Sequence, residues 1–212
     1  QVPNRRGLTG AEVATAILRG YGTAAGIEPG QQMQAGTALG AVSVEPVGGT
    51  LSDHYDPGAR VLRLSEPVYG EASIAAVSVA AHEAGHALQH AVAYPYLALR
   101  SFTVPLAHFG SMLTFPILLG GMVLGSRAFT FALDLAILLY LGVVFFTIIT
   151  LPVEFNASNR ALRVLREGGY LMEDEMPGAR AVLHAAAMTY VAATLSAVLT
   201  LLRLILLRNS RE

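Results

Sequence analysis

Two histidines and a glutamate within residues 80–87 (AAHEAGHA) have the types and spacing of a metal site. His82 and His86 are four residues apart, so on a helix they project from one face, a single turn apart. Two imidazoles so arranged can bind one metal ion. Glu83 is then a carboxylate that can take a proton from the metal-bound water. The pattern predicts a zinc-dependent hydrolase of peptide bonds.

The H-E-x-x-H pattern is specific, because chance produces it in roughly one in a hundred chains of this composition. Residues 72–92 around it are rich in Ala and lack Pro, which is typical of a helix. Gly85 lies inside that segment, where a small residue lets a ligand or another backbone come close. The alternative is a buried amphipathic helix whose histidines have no function. Burying a glutamate beside two stacked histidines costs free energy, however, which argues against a purely structural helix.

The composition of the 212-residue chain indicates a membrane protein. Hydrophobic residues make up 53% and charged residues 14%, whereas charged residues are usually about 25% of a soluble domain. The net charge of −1 gives no reason to expect nucleic acid as a partner. With no cysteine, the chain has neither disulfides nor a thiolate-bound metal.

Three apolar runs, 104–125, 129–151 and 185–207, each have about the twenty residues needed to cross a bilayer. We therefore expect a mainly α, multi-pass membrane protein. It would combine three membrane-spanning helices with a zincin-like active-site helix and a small β-hairpin or sheet. The same runs as buried helices of a soluble protein are the less favoured alternative.

The membrane runs also predict a third metal ligand. Only residues 126–128 join the first two runs, so the chain should return to the side of the bilayer from which it started. The first acid after the second run is Glu154, which would then lie on the side of the His82 helix. A peptidase zinc site needs two histidines, a carboxylate and an open position for water. The predicted metal ligands are therefore His82, His86 and Glu154, with Glu83 as the general base.

Other segments are expected to position the site. Thr9 and Glu12 form a capping box that should start the first helix. Residues 22–40 resemble a loop or an insertion, and 42–47 a short strand. Asp56-Pro57-Gly58 predicts the turn of a hairpin between 51–55 and 60–64. We expect Ser65 and Pro67 to start the active-site helix and Pro95 to end it.

The hairpin carries two further candidates for the chemistry. His54 and Tyr55 could polarise the scissile carbonyl, and the edge strand could pair with an extended peptide. His90 lies on the face of His82, but eight residues are about 12 Å of helix, too far for both to bind one zinc. His90 is more consistent with a surface position, or with a contact to the substrate or to a ligand.

These elements suggest four regions. Residues 1–100 form the zincin-like catalytic portion, and 101–151 a transmembrane helical hairpin. Residues 152–184 contribute the third ligand and a surface helix, and 185–212 the C-terminal transmembrane helix and tail. Arginines near the run ends slightly favour a cytoplasmic active site: the active-site side has Arg100, Arg160, Arg163, Arg166 and Arg180, and the opposite side has Arg127, Arg203, Arg208 and Arg211.

Four runs together resemble the YugP-like membrane zinc metallopeptidases: 5–14 (RRGLTGAEVA), 51–57 (LSDHYDP), 79–90 (VAAHEAGHALQH) and 151–158 (LPVEFNAS). The resemblance implies zinc held by His82, His86 and Glu154, with Glu83 as catalytic base. It also implies a multi-pass bacterial membrane protein that acts on peptides or membrane proteins. Members of this family usually carry one more N-terminal membrane helix than this sequence shows.

Residues 154–158 are also similar to the Glu-Phe-x-Ala-Asp signature of HtpX and the CAAX prenyl proteases. This chain has Ser158 in place of the Asp. A carboxylate that orients a histidine ligand must then come from elsewhere. Asn156 or Asp53 could take over that role.

Two other functions compete with peptide hydrolysis. A membrane scaffold or quality-control adaptor could keep zinc for structure alone, but a structural site has no use for Glu83 and closes its fourth position with protein. A membrane haem protein could use His108 and His184, and the absence of a Soret band would exclude it.

Overall fold

The computed structural model describes residues 2–20, 26–28, 30–33 and 39–210, and the chain forms two compact units. One unit contains residues 1–94 and 154–187, and the other contains 95–153 and 188–212. Parts of the predicted loop 22–40 lie outside the described residues, as does Arg211. The expected fold class is confirmed, since long helices dominate and a three-stranded sheet accompanies them.

The first unit opens with helix α1 (Gly10–Leu18), which begins at the predicted capping box. The Thr9 hydroxyl accepts the backbone N–H of Glu12 at 3.2 Å, and the Glu12 carboxylate accepts the backbone N–H of Thr9 at 2.8 Å. These two bonds satisfy N–H groups that a helix start otherwise leaves unpaired. The apolar face of α1 is buried through Val13, Ala14, Ile17 and Leu18.

The sheet comprises β1 (Ser43–Val47), β2 (His54–Asp56) and β3 (Val61–Ser65) in the order β1-β3-β2. β2 and β3 are antiparallel and form the predicted hairpin, while β1 pairs with β3 in parallel. The Asp56 carboxylate accepts the N–H groups of Gly58 and Ala59, both at 2.9 Å, which closes the turn. β2 therefore lies at one edge of the sheet.

The metal-site helix is shorter than expected. Glu66–Gly70 forms a separate short helix, α2, and the metal-site helix α3 covers Ile74–Ala91. The chain is extended at Glu71 (φ −89°, ψ 141°), so the two helices cannot merge. The Ser73 hydroxyl then accepts the N–H of Ala76 at 3.1 Å and caps the new helix.

The predicted end of this helix was also wrong. The backbone of Ala93 is left-handed (φ 51°), which terminates α3 before Pro95 is reached. Pro95 instead opens helix α4 (Pro95–Leu124). Proline suits the first turn of a helix, because its missing N–H has no partner there in any case.

In the described part of the chain, three helices are long and apolar enough to cross a membrane. They are α4, α5 (Ser126–Glu167) and α6 (Met176–Asn209). Gly125 alone, with φ 103°, connects α4 to α5. Helix α5 continues through Pro152 and ends at Glu167, just before Gly168. Many large apolar side chains of the second unit are exposed, as a lipid-facing surface requires: Phe102, Phe109, Phe115, Phe131, Leu138, Phe145 and Leu195.

Each unit has its own core. In the first, apolar side chains of α1 and α3 pack with β3 and with residues 161–183. In the second, Phe129, Leu133 and Ala136 of α5 cluster with Leu204 of α6. An Arg208–Asp134 ion pair of 2.8 Å also joins α5 to α6 in that unit.

Candidate metal centre

The three predicted ligands meet in the first unit. The Glu154 Oε2 atom lies 3.2 Å from His82 Nε2 and 3.7 Å from His86 Nε2. One ligand atom from each side chain lies within 4.8 Å of the others. The two imidazole rings, 85° apart in orientation, have centroids separated by 4.8 Å. The expectation that Glu154 comes within bonding reach of His82 and His86 is thus met by the geometry.

This donor set fits zinc. Atoms bound to one tetrahedral zinc at 2.0–2.1 Å are about 3.3 Å apart, and the two measured nitrogen–oxygen separations lie on either side of that value. Two neutral nitrogens and one carboxylate leave a fourth position for water, as in catalytic rather than structural zinc sites. Glu154 is 1% exposed, so its carboxylate is shielded from competition by bulk water.

Ser158 orients His82. Its hydroxyl lies 3.1 Å from His82 Nδ1, on the opposite side of the ring from Glu154. If Nδ1 donates to this oxygen, the lone pair of Nε2 faces the carboxylate, which is the tautomer that a metal requires. Ser158 was expected to lack this role, because the serine replaces an Asp. The shorter side chain reaches the imidazole from one turn beyond Glu154 on α5.

Gln89 does the same for His86. Its Oε1 atom lies 3.0 Å from His86 Nδ1, and its Nε2 atom donates to Asn156 Oδ1 at 3.0 Å. Gln89 is 0% exposed, and it follows His86 by three residues on α3. This contact was not predicted from the sequence. A glutamine three residues from a ligand on the same helix face was the available signal.

The two alternatives proposed for orienting a ligand were Asn156 and Asp53. Asn156 accepts a hydrogen bond from Gln89, and Gln89 in turn contacts His86. The Asp53 carboxylate accepts the backbone N–H of Ser65 at 2.8 Å and the Ser65 hydroxyl at 3.0 Å. It therefore closes the end of the hairpin, and the structure places no histidine ligand against it among the described residues.

Glu83 is a buried carboxylate next to the first ligand. Glu83 is 8% exposed and directly follows His82, the first ligand, on α3. Within the described residues its carboxylate forms neither a hydrogen bond nor an ion pair. A role for Glu83 as general base stays a prediction.

The charges at the centre stabilise each other. Glu154 lies three residues beyond the apolar run 129–151. Burial would raise the pKa of its carboxyl, but the imidazoles of His82 and His86 outweigh burial and lower it well below its usual range. Burial would likewise lower the pKa of His86, but Glu154 and the charge of Glu83 raise it instead. In the metal-free site the ionised Glu154 carboxylate thus favours protons on the imidazole of His86, and zinc would compete with those protons.

Gly85 allows the two ligand-bearing helices to approach. A Cβ atom at this position would lie 2.7 Å from the carbonyl oxygen of Ala157 and 3.3 Å from its Cα. These are backbone atoms of α5, which cannot move as a side chain can. The absence of a side chain at Gly85 thus lets α3 and α5 come close enough for Glu154 to reach His82 and His86.

The hairpin residues have defined contacts. The Tyr55 hydroxyl lies 2.9 Å from Nδ1 of His90, which follows His86 by one turn of α3. Burial raises the pKa of Tyr55. His54 is exposed on β2, and its Nδ1 lies 2.7 Å from the carbonyl oxygen of Ser52. A catalytic role for His54 or Tyr55 stays a prediction.

Comparison with known proteins agrees with this arrangement. Residues 20–209 match the family model described as "Putative neutral zinc metallopeptidase". A curated relative from Bacillus subtilis (strain 168), named "Putative membrane protease YugP", is 47% identical over 207 residues, which covers 97% of this chain and 84% of the relative. No solved structure matches the chain.

Proposed function

Because this chain belongs to the family described as putative neutral zinc metallopeptidases, we propose that it is a membrane-bound zinc endopeptidase. Its substrates would be peptides or membrane proteins, and Glu83 would act as the general base. The observation that supports the proposal most strongly is the approach of Glu154 Oε2 to the Nε2 atoms of both histidines, at 3.2 and 3.7 Å. The family membership and the name of the relative support the same activity.

His82, His86 and Glu154 would hold the zinc. When bound, zinc would act as a Lewis acid that lowers the pKa of a water molecule towards about 7 and polarises a carbonyl group. The chain supplies the proton transfers. Glu83 takes a proton from the attacking water and later gives it to the leaving amine. Ser158 and Gln89 hold the imidazoles so that each Nε2 lone pair faces the site.

The hairpin would receive the substrate. β2 lies at the edge of the sheet, and an edge strand can pair with an extended peptide through its free backbone groups. Tyr55 on this strand lies against His90 of the metal-site helix. We propose His54 and Tyr55 as donors to the scissile carbonyl, a role that a change in kcat without loss of zinc would test.

The active site is proposed to face the cytoplasm of a bacterial cell, since arginines are slightly more frequent at the run ends on that side. The chain has no cysteine, so one introduced cysteine is a unique reporter. Gly58→Cys, at the exposed tip of the hairpin, should react with an impermeant maleimide only after the cells are opened. Labelling in intact cells would place the site outside.

The Glu83→Gln variant tests the activity. Glutamine keeps the shape of the side chain but cannot take up a proton, so zinc should stay bound while proteolysis falls by about 10²-fold or more. The assay is cleavage of labelled casein by the purified, zinc-loaded protein in detergent. Glu71→Gln, which changes an exposed glutamate just before α3, is the matched control and should cleave normally.

Cleavage by Glu83→Gln at the wild-type rate would refute its role as base. Zinc binding by the wild type, with no cleavage of either casein or a membrane-protein substrate, would instead favour the alternative. That alternative is a scaffold or quality-control adaptor stabilised by zinc.

A further inference from the structure

Arg160 is a fully buried cation in the unit that contains the metal centre. The residue is 0% exposed, and it lies on α5 six residues after Glu154. Its guanidinium donates three hydrogen bonds: Nε to Asn156 Oδ1 at 2.7 Å, Nη1 to the Gly26 carbonyl at 2.6 Å, and Nη2 to Gln31 Oε1 at 2.8 Å. All three acceptors are uncharged oxygens.

A buried charge of this kind is costly compared with an apolar side chain of the same size. Three uncharged oxygens, the nearby charge of Glu28 and the ring of Tyr94, whose centroid is 5.9 Å from the guanidinium carbon, offset only part of the hydration that the guanidinium gives up. Packing alone therefore gives no reason for an arginine at this position. Its contact with Asn156 gives one, because Asn156 also contacts Gln89, the partner of a metal ligand.

Arg160 determines which way the Asn156 amide points. A guanidinium has only donors, so it requires the Asn156 oxygen, not the nitrogen, to face it. On the other side, Asn156 Nδ2 donates to Glu28 Oε1 at 2.9 Å, and an ionised carboxylate has only acceptors. The donor-only Arg160 and the acceptor-only Glu28 thus allow a single orientation of the amide.

The orientation of the Asn156 amide determines the tautomer of His86 through Gln89. Because the Asn156 oxygen is fixed, Gln89 must turn its Nε2 group towards it. The Gln89 oxygen then faces His86 Nδ1 at 3.0 Å. An acceptor at this distance requires a proton on Nδ1, which leaves the lone pair on His86 Nε2, the atom that faces Glu154.

We propose that Arg160 is a positioning residue of the metal centre, which selects the metal-binding tautomer of His86 through Asn156 and Gln89. Gly26, Gln31 and Glu28 hold the remote end of this chain of hydrogen bonds, so the described part of loop 22–40 contributes to the centre. The inference rests on the metal centre of the proposed function, but not on peptide hydrolysis.

The test is the zinc affinity of the full-length protein in detergent, measured by competition with a chromophoric chelator. Arg160→Met should weaken zinc binding by about tenfold, since loss of a group that orients a ligand costs 10- to 100-fold. Arg166→Met is the matched control: it removes an arginine of the same helix whose ion-pair partner is the exposed Glu173. The control should bind zinc within about twofold of the wild type.

A second background separates positioning from general loosening of the fold. The carboxylate introduced by Gln89→Glu has two equivalent acceptor oxygens, so His86 Nδ1 finds an acceptor without help from Arg160. In this background, Arg160→Met should not weaken zinc binding, because the Asn156 amide, released from Arg160, can turn its nitrogen towards the second carboxylate oxygen. An equal loss in both backgrounds would overturn the proposal, as would tight zinc binding by Arg160→Met alone.

If Arg160→Met does not yield folded protein, Asn156→Ala replaces it, because this variant breaks the link between Arg160 and Gln89 and keeps the cation. Asn156→Ala should weaken zinc binding in the wild-type background and not in the Gln89→Glu background. Circular dichroism of the metal-free proteins checks the fold. A wild type that binds no zinc would overturn both this inference and the proposed function. A wild type that binds zinc, with variants that bind it equally well, would overturn this inference alone.

Discussion

The substitution Gly85→Ala should damage the metal centre although it adds a single methyl group. The new Cβ atom would lie 2.7 Å from the backbone oxygen of Ala157. Close carbon–oxygen contacts in proteins are about 3.3 Å or longer, so α3 and α5 would have to separate locally by about 0.6 Å. The bonds from zinc to its ligands tolerate only about 0.2 Å. His82 and His86 on one helix and Glu154 on the other would no longer fit one ion.

The effect on the fold should be smaller than the effect on zinc. Alanine favours a helix over glycine by about 1 kcal/mol, whereas overpacking a tight contact costs about 1–3 kcal/mol. The metal-free protein should therefore lose about 0–2 kcal/mol of stability. Zinc affinity should fall by tenfold or more, because each 1.4 kcal/mol of strain at the ligands is a factor of ten.

The assay compares zinc affinity and the thermal midpoint with and without zinc. Gly120→Ala is the matched control, because Gly120 also lies in a helix and a Cβ atom there would meet nothing within 4 Å. The control should keep wild-type zinc affinity. If Gly85→Ala binds zinc within about twofold of the wild type and melts at the same temperature, the close approach of α3 and α5 does not set the geometry of the centre.

Two further predictions concern the ligands. Ser158→Ala should weaken zinc binding by about tenfold, because His82 Nδ1 loses its partner, whereas Ser158→Asp should bind zinc at least as tightly as the wild type. The measurement is competition with a chelator, and an unchanged zinc affinity in Ser158→Ala would contradict the role of Ser158. Zinc retention should fall as the pH drops through the pKa of His86, which Glu154 and Glu83 raise against the effect of burial. In the metal-free protein the pH dependence has the opposite sign. Protonated His86 stabilises the fold below its unfolded pKa, and this stabilisation is lost as the pH rises through the folded pKa. As the pH is raised through this range, the melting temperature should therefore rise with zinc and fall without it.

The sequence was sufficient to predict that His82, His86 and Glu154 come together, because the constraints on them are strong. The spacing of His82 and His86 requires a helix, and membrane-length runs leave few places for the next acid. The capping box at Thr9 and the turn at Asp56 were also predictable, since each depends on contacts between neighbouring residues.

The partners of the ligands were less accessible to sequence reasoning. Ser158 contacts His82 and Asn156 contacts Gln89 across 76 and 67 residues, and such distant pairings depend on how α3 packs against α5. The expectation that a carboxylate must replace the missing Asp overlooked the hydroxyl at the same position. A hydroxyl oxygen can also accept a hydrogen bond from an imidazole N–H.

The ends of the metal-site helix were missed for a local reason. Pro67 and Pro95 are both compatible with a helix start, but they open α2 and α4 and do not bound α3. Ser73 marks the true start, and a serine before an Ala-rich segment was a usable signal. The role of Arg160 could not be foreseen, because nothing in the sequence distinguishes a buried arginine from an exposed one.

The most direct test of the metal centre is zinc K-edge X-ray absorption of the purified protein in detergent, together with Glu154→Gln. The account predicts two imidazole nitrogens and oxygen ligands at about 2.0–2.1 Å, and loss of that signal in the variant. Zinc that is bound without histidine scattering, or that keeps the same spectrum and occupancy in Glu154→Gln, would contradict the assignment of His82, His86 and Glu154 as its ligands.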